Sequence, residues 1–395
     1  MTSTRATFEE FLAWLEEGRT HGQVHFDDKQ QCWQVLGHPE ANAVLSDPAR
    51  FSSDLSALQP DQYDLALFQR GNFVRMDPPQ HRKLRTLVSQ AFTPRAVAAL
   101  EPRIAELTAQ LIEPLGERFD LIDALAYPLP VVVIAELLGV PTTDQALFRS
   151  WADQLLGVDR DHDRPISEVV EQSLTSFVPA MREMNAYFLD HIRSRRTTPT
   201  QDLTSKLVLA QVDGERLADE EIIGFVGLLL IAGHITTTAT LGNSVVTFAD
   251  NPAAVAEIRA DPTLLPAAIE EVLRVRTPFP RLTRLTAVDT HVGGVDIPAG
   301  QVVLPWVAAA NRDARVFADP HRFDIHRTPN PHLSFGHGIH FCLGAPLARL
   351  EARVALRLLL GRYRDIEVAT DEPVEHRDPW TMEAVTRLPL AVRAV

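Results

Sequence analysis

Residues 334–344 read SFGHGIHFCLG, which places one of the chain's two cysteines, Cys342, among three glycines and two histidines. Glycine alone reaches positive φ without steric cost, so this run describes backbone bent or approached in ways that a Cβ would forbid. Downstream, Leu343, Leu347, Leu350, Val354 and Leu358 recur at steps of three and four, with Pro346 in the first turn and Gly361 at the end. That pattern predicts a helix starting at the cysteine. A cysteine in this place faces unpaired N–H groups and the positive end of a helix dipole, which favour thiolate over thiol. The N–H groups of Leu343 and Gly344 are expected to bond the sulfur.

Three readings of the loop follow. Cys342 is small buried filler; or it joins His332, His337 and His340 around zinc, although no CxxC or HxxxH pair sets the usual spacing; or it holds haem iron, which needs one sulfur on a glycine-lined loop against a flat macrocycle.

Working outward, the 395 residues, 45 % hydrophobic and 23 % charged, have the composition of a soluble globular protein with a large core. Length alone suggests two or three domains, but no Ser/Gly-rich linker, long charge run or internal repeat divides the chain. One domain over residues 1–395 is expected. The net charge of −14 argues against nucleic-acid binding, which needs a basic surface. The first twenty residues lack both a basic start followed by an apolar run and a membrane span, so a cytoplasmic protein with no membrane contact is expected. Two cysteines exclude a disulfide framework.

Most of the chain reads as helix. Residues 24–35 are β-rich around Asp27-Asp28-Lys29, a helix begins near His38-Pro39, and helical patterns cover 94–115, 129–138, 169–195 and 219–250. The last carries IIGFVGLLLIAGHITTTATLGNSVV, apolar on nearly every face, and predicts a helix buried through the middle of the protein. Gly227, His234, Gly242 and Asn243 suit a bilayer poorly. After Asn251-Pro252 come two shorter helices, the second holding PAAIEEVLRV; residues 283–303 turn β-like around Gly293-Gly294 and Pro298-Ala299-Gly300. The fold class is mainly α with small β-sheets (α+β).

The stretch FGHGIHFCLG resembles the haem-binding loop of the cytochrome P-450 family, Phe-Gly-x-Gly-x-x-x-Cys-x-Gly, at every fixed position. The resemblance implies a helical-triangle fold around one buried haem b, with Cys342 as the iron ligand and Phe335, Gly336, Leu343 and Gly344 against the macrocycle. It extends to Glu271 and Arg274 in EEVLR, which share a helical face, and to Arg322 in PHRF, implied to complete a structural ion-pair cluster. His81 and Arg85 follow MDPPQ; with Arg284 and His332 they are implied as partners of the haem propionates. Ala232, Gly233, Thr236 and Thr237 resemble the family's Ala-Gly-x-acid-Thr-Thr oxygen-activation run. There the Thr236 hydroxyl bonds back to the Ala232 carbonyl and opens the helix locally. Leu228, Leu229, Phe279, Pro280, Leu282, Met382 and Val385 are implied to line the substrate pocket.

One position departs from the family: Ile235 stands where an acid is usual, and isoleucine cannot relay a proton. Proton delivery is then expected through water held by Thr236 or Thr237, or through a polar group of the substrate. The implied reaction is hydroxylation or epoxidation of an apolar or amphipathic small molecule in bacterial secondary metabolism, with dioxygen as co-substrate. A polyketide, peptide, terpenoid or carrier-protein-bound intermediate all fit. A peroxide-driven peroxygenase and a non-catalytic haem gas sensor are the alternatives. No flavin or iron–sulfur segment is left over, so electrons are expected from ferredoxin and ferredoxin reductase, docking near Lys83, Arg349 and Arg353 on a monomer.

Overall fold

A computed structural model describes residues 4–58, 61–89, 91–156, 164–212 and 215–395. Six helices carry the site and its supports: α1 (Gln80–Ser89), α2 (Pro128–Leu138), α3 (Ile166–Thr197), α4 (Asp219–Asp250), α5 (Leu265–Val275) and α6 (Ala345–Arg362). Helix α4 starts with Asp219, Glu220 and Glu221 at the positive end of its dipole, and the Glu221 carboxylate accepts the Ala218 N–H at 2.9 Å. It ends at Asn251, just before Pro252, which begins the next helix. α4 is long and apolar enough to cross a membrane, yet 72 % of its most apolar stretch is buried inside the protein. It packs against α2, α3, α5 and α6, so nearly all of its circumference is core.

Where the sequence pattern predicts one helix over 94–115, the structure has two, Pro94–Ala98 and Glu101–Ile112. The break precedes Pro102, whose ring removes an N–H and crowds the preceding turn. α2 stops on Gly139, which takes φ 74° and closes the helix through its N–H to Ala135 and Glu136.

The β part is small. A five-stranded sheet runs in the order Val24–Asp27, Cys32–Val35, Val302–Pro305, Arg284–Thr286, Phe51–Ser52. Only the pairing of Cys32–Val35 with Val302–Pro305 is parallel, and it joins the N-terminal hairpin to the segment that precedes the cysteine loop. A second sheet orders Tyr363–Val368, Pro389–Ala394 and Arg118–Asp120. The apolar core is one large cluster around α2, α3, α4 and α6, with two smaller clusters at the five-stranded sheet.

Candidate active site

The loop before α6 folds back on itself: the Cys342 N–H donates to the Phe335 carbonyl at 2.8 Å, and Gly336 and Gly338 both take φ 68°. Gly338 is required twice over, because a Cβ there would sit 2.7 Å from the Leu45 carbonyl oxygen. Protein encloses Cys342 closely, yet its side chain opens into a cavity between this loop and α4. Burial pushes the thiol above its ordinary value, while the N–H groups of Gly344 and Ala345 and the charges of Arg85 and Arg349 pull it down. The sulfur's donors are therefore Gly344 and Ala345, not Leu343 and Gly344, matching the donors two and three residues on that a helix-capping side chain uses. The helix start does not by itself make a thiolate here, since burial outweighs it; a bound metal ion would.

The cavity and its open mouth together hold about 1290 Å³ free of atoms, part of it open solvent. Leu343, Gly344, Phe335, Gly336 and Cys342 line it on one side and Leu228, Leu229, Ala232, Gly233, Thr236 and Thr237 on the other, with Phe279 and Leu282 also in its wall. Thr236 Oγ1 donates to the Ala232 carbonyl at 3.1 Å, and Thr237 Oγ1 reaches the Gly233 carbonyl at 3.5 Å. Pro280, Met382 and Val385 are not in the wall. The Pro280 carbonyl accepts the Ala308 N–H, while Met382 and Val385 are fully buried in the large core. Val385 packs on α4 beside Gly242, where an added Cβ would press on Ile122 at 3.1 Å and meet Val385 at an ordinary 3.4 Å. Sequence reasoning missed Phe73, Val74, Phe92 and Ile134, which are ordinary apolar residues until the fold brings them to the same wall.

Basic groups gather at one edge. Arg85 lines the cavity and donates to the Phe341 carbonyl at 2.5 Å. His81 is buried with Nε2 unpartnered, and its ring lies 4.4 Å from that of His340. Both ring nitrogens of His340 are buried and unpartnered; burial first, then Arg284, His81 and Arg85, holds this imidazole down to about 3. Arg284 is buried beside them, lowered to about 10 by burial and by Arg75. His332 does not belong to this group. Its Nε2 is 3.0 Å from Glu270 and its Nδ1 accepts the Ser334 N–H, so neither nitrogen is left for a ligand. His340 takes its place; the signal in the sequence was a second histidine two residues before the cysteine.

Behind the loop, Glu271 and Arg274 form a bidentate pair at 2.8 Å with both side chains wholly buried. The second guanidinium on Glu271 belongs to Arg327, at 3.0 and 3.1 Å, and not to Arg322. Arg322 is exposed and gives the cluster only its backbone carbonyl, because Arg274 and Arg327 both donate to it.

Among the described residues no group of three or more His, Cys, Asp or Glu side chains is placed to hold a metal ion, which leaves the zinc reading without ligands. The arrangement fits haem instead: one sulfur at a flat, glycine-lined slot, and basic and unpaired polar groups at one edge for two carboxylates. The cytochrome P-450 family model matches residues 29–392. The chain belongs to the cytochrome P-450 family.

Similar P-450s include the cyclomarin C epoxidase CymV of Salinispora arenicola, 45 % identical over 92 % of this chain and 91 % of its own. The erythromycin C-12 hydroxylase of Saccharopolyspora erythraea is 45 % identical over 91 % of this chain and 89 % of its own. Among solved P-450 structures, a mutant of EryK in complex with erythromycin B superposes with a TM-score of 0.91 at 41 % identity, covering 99 % of this chain and 98 % of that one. CYP109E1 from Bacillus megaterium in complex with testosterone gives 0.91 at 37 % identity, covering 99 % of both chains.

This P-450 is a haem-thiolate monooxygenase with haem b as cofactor, Cys342 as its proximal ligand and dioxygen as co-substrate. When bound, the haem supplies reductive activation of dioxygen, helped by the electron-rich thiolate. Bacterial P-450s of this type take electrons from ferredoxin and reductase partners. The three cations expected to dock such a partner are already paired within the chain: Lys83 with Glu221 at 3.6 Å, Arg349 with Glu270 at 2.7 Å and Arg353 with Glu101 at 2.8 Å. Neutralised in this way, they form no basic patch of their own.

Proposed function

We propose that this enzyme hydroxylates or epoxidises a bulky, mostly apolar polyketide or peptide metabolite. The observation that carries the reading is the wall facing Cys342. Phe73, Phe92, Ile134, Leu228, Leu229 and Phe279 make it apolar, and the hydroxyls of Thr236, Thr237 and Thr240 all turn to backbone carbonyls of their own helix. A substrate held there gains affinity from buried apolar surface and is oriented by shape. Val74 and Phe279, 44 % and 39 % exposed, extend the same apolar surface to the protein's exterior, which suits a molecule too large to be swallowed whole. The relatives named for cyclomarin C and erythromycin support this size class.

In this reading His81, Arg85, Arg284 and His340 hold the propionates. Ala232 leaves room for dioxygen, Gly233 beside it lets Ile134 pack against α4, and Thr236 holds a water or proton at its hydroxyl. The chain acts as one catalytic domain in the cytoplasm, reduced by a separate ferredoxin that its reductase supplies. A panel of polyketides, peptides and small terpenes, screened for a shift of the haem Soret band to the high-spin form and then for product with ferredoxin and reductase, tests the proposal. Polyketide or peptide binders that are oxidised are expected; a response confined to small terpenes overturns it.

A further inference from the structure

Arg349 stands on α6, seven residues beyond Cys342. It lines no part of the haem cavity; it borders a separate surface groove with Pro94, Pro266, Pro346 and Leu350. Its guanidinium lies over the ring of Phe335, 4.4 Å from the centroid. Phe335 is in the cavity wall, and its carbonyl accepts the Cys342 N–H at 2.8 Å, so this one residue touches both the sulfur's loop and the cation. Glu270 of α5 fixes the guanidinium there through two bonds of 2.7 Å, from Nε and from a terminal nitrogen. A fork of that kind leaves the cation a single orientation. His332 Nε2 lies 3.0 Å from the same carboxylate. Against burial, the bonds from Arg349 and His332 hold Glu270 down to about 2, so it is ionised at neutral pH.

We propose that Arg349 sets how readily the haem of this P-450 accepts its electron: held over Phe335 by Glu270, it supplies a fixed positive charge beside the Cys342 loop that favours the reduced form. Glu270 is the positioning residue, and its own charge tempers the cation it holds. One electron from the donor converts ferric to ferrous iron and adds one negative charge to the haem and its sulfur; no bond forms or breaks. A cation fixed nearby stabilises that added charge, and an anion opposes it.

The two groups already act on each other in the protein alone. Burial dominates the Cys342 thiol, but Arg85 and Arg349 both pull it down; Arg349, raised chiefly by Glu270, is raised by Cys342 as well. Arg85 lines the cavity, at the basic edge read above as the propionate site, whereas Arg349 has no part in holding the macrocycle. Its charge is therefore free to act on the sulfur. Glu270 answers foremost to Arg349 and His332, so it reaches the sulfur mainly through its hold on Arg349.

The test is a dye-mediated redox titration of the haem-loaded protein, followed at the Soret band, with a chemical reductant and no organic substrate. Arg349→Gln is expected to lower the ratio of reduced to oxidised protein at a fixed potential about tenfold, which is about 59 mV for one electron. Glu270→Gln is expected to raise that ratio about threefold. The opposite signs are the signature of charge, because both substitutions break the same pair of hydrogen bonds and a packing role would move them together. Arg349→Lys keeps the charge and should stay within about a factor of three of wild type. It replaces the glutamine variant in the comparison if Arg349→Gln does not take up haem. Carbon monoxide binding to each reduced protein checks that the sulfur is still the ligand. Shifts of the same sign in Arg349→Gln and Glu270→Gln overturn the proposal, and so does an Arg349→Gln ratio within about a factor of two of wild type or an Arg349→Lys ratio lowered about tenfold. Since no substrate is present, none of these outcomes bears on the polyketide or peptide reading.

Discussion

The imidazoles of His81 and His340 lie tilted against each other with centroids 4.4 Å apart, 259 positions apart in the chain, and His81 Nε2 and both nitrogens of His340 have no partner. Two basic rings are not buried together for their own stability: burial and then Arg85 lower His81, and burial, Arg284 and His81 lower His340. They are complete only when anionic oxygens arrive. Replacing His340 by alanine is therefore expected to weaken hemin binding by the apoprotein about tenfold to a hundredfold, the range for a lost charge-assisted hydrogen bond. Hemin titration followed at the Soret band measures it. His332→Ala, outside this group, should leave hemin affinity within a factor of about two.

Arg327 and Arg322 separate cleanly as well. Arg327→Ala strips a guanidinium from the wholly buried Glu271 and is expected to cost about 3–5 kcal/mol. Arg322→Ala removes an exposed side chain, leaves its carbonyl in place, and should stay within about 0.5 kcal/mol of wild type. Denaturant unfolding of the two variants compares them directly.

Glu270 ties α5 to α6 through Arg349 and to the coil just before the cysteine loop through His332. Burial alone would raise its pKa, but the hydrogen bonds from Arg349 and His332 outweigh burial and hold it near 2. A carboxyl with a folded value below its unfolded one contributes stability above the unfolded value near 4.5 and loses it as pH falls toward 2. About 3 kcal/mol should disappear across that window. Unfolding midpoints in a pH series check this, and Glu270→Gln should flatten the slope there.

Gly233 has no Cβ because Ile134 occupies the space: a methyl group would lie 2.9 Å from Ile134 Cγ1. Gly233→Ala is expected to cost about 1–3 kcal/mol by overpacking. Ile134→Ala in the same chain should relieve the contact, so that the double variant is more stable than the two single effects predict. Thermal unfolding of the four proteins closes the cycle.

Local signals were legible and distant ones were not. The glycines and the cysteine at 334–344 spell out the ligand loop, because the close approach is written in residues next to each other. The unbroken apolar run at 222–231 does the same for α4. Arg327, His340 and Phe73 acquire their roles from partners in other elements. Arg322 and Arg327 are five positions apart in one stretch of coil, and only the path of that coil past Glu271 decides which side chain turns in. Pro102 is the opposite case: it was plainly visible in 94–115, and the continuous apolar periodicity there overrode a breaker that the backbone obeyed.

Gly338 lies against Leu45 and Ser46, and the Ser46 hydroxyl bonds His337 at 2.9 Å. The turn that presents the iron ligand is thus moulded on a helix, His38–Ser46, made nearly three hundred residues earlier. During synthesis that helix emerges from the ribosome long before its counterpart exists, and contacts of such wide separation form late. The cofactor can be captured only once the last quarter of the polypeptide has been released, so a chain stalled or cut before that point accumulates without colour however well its first half has folded.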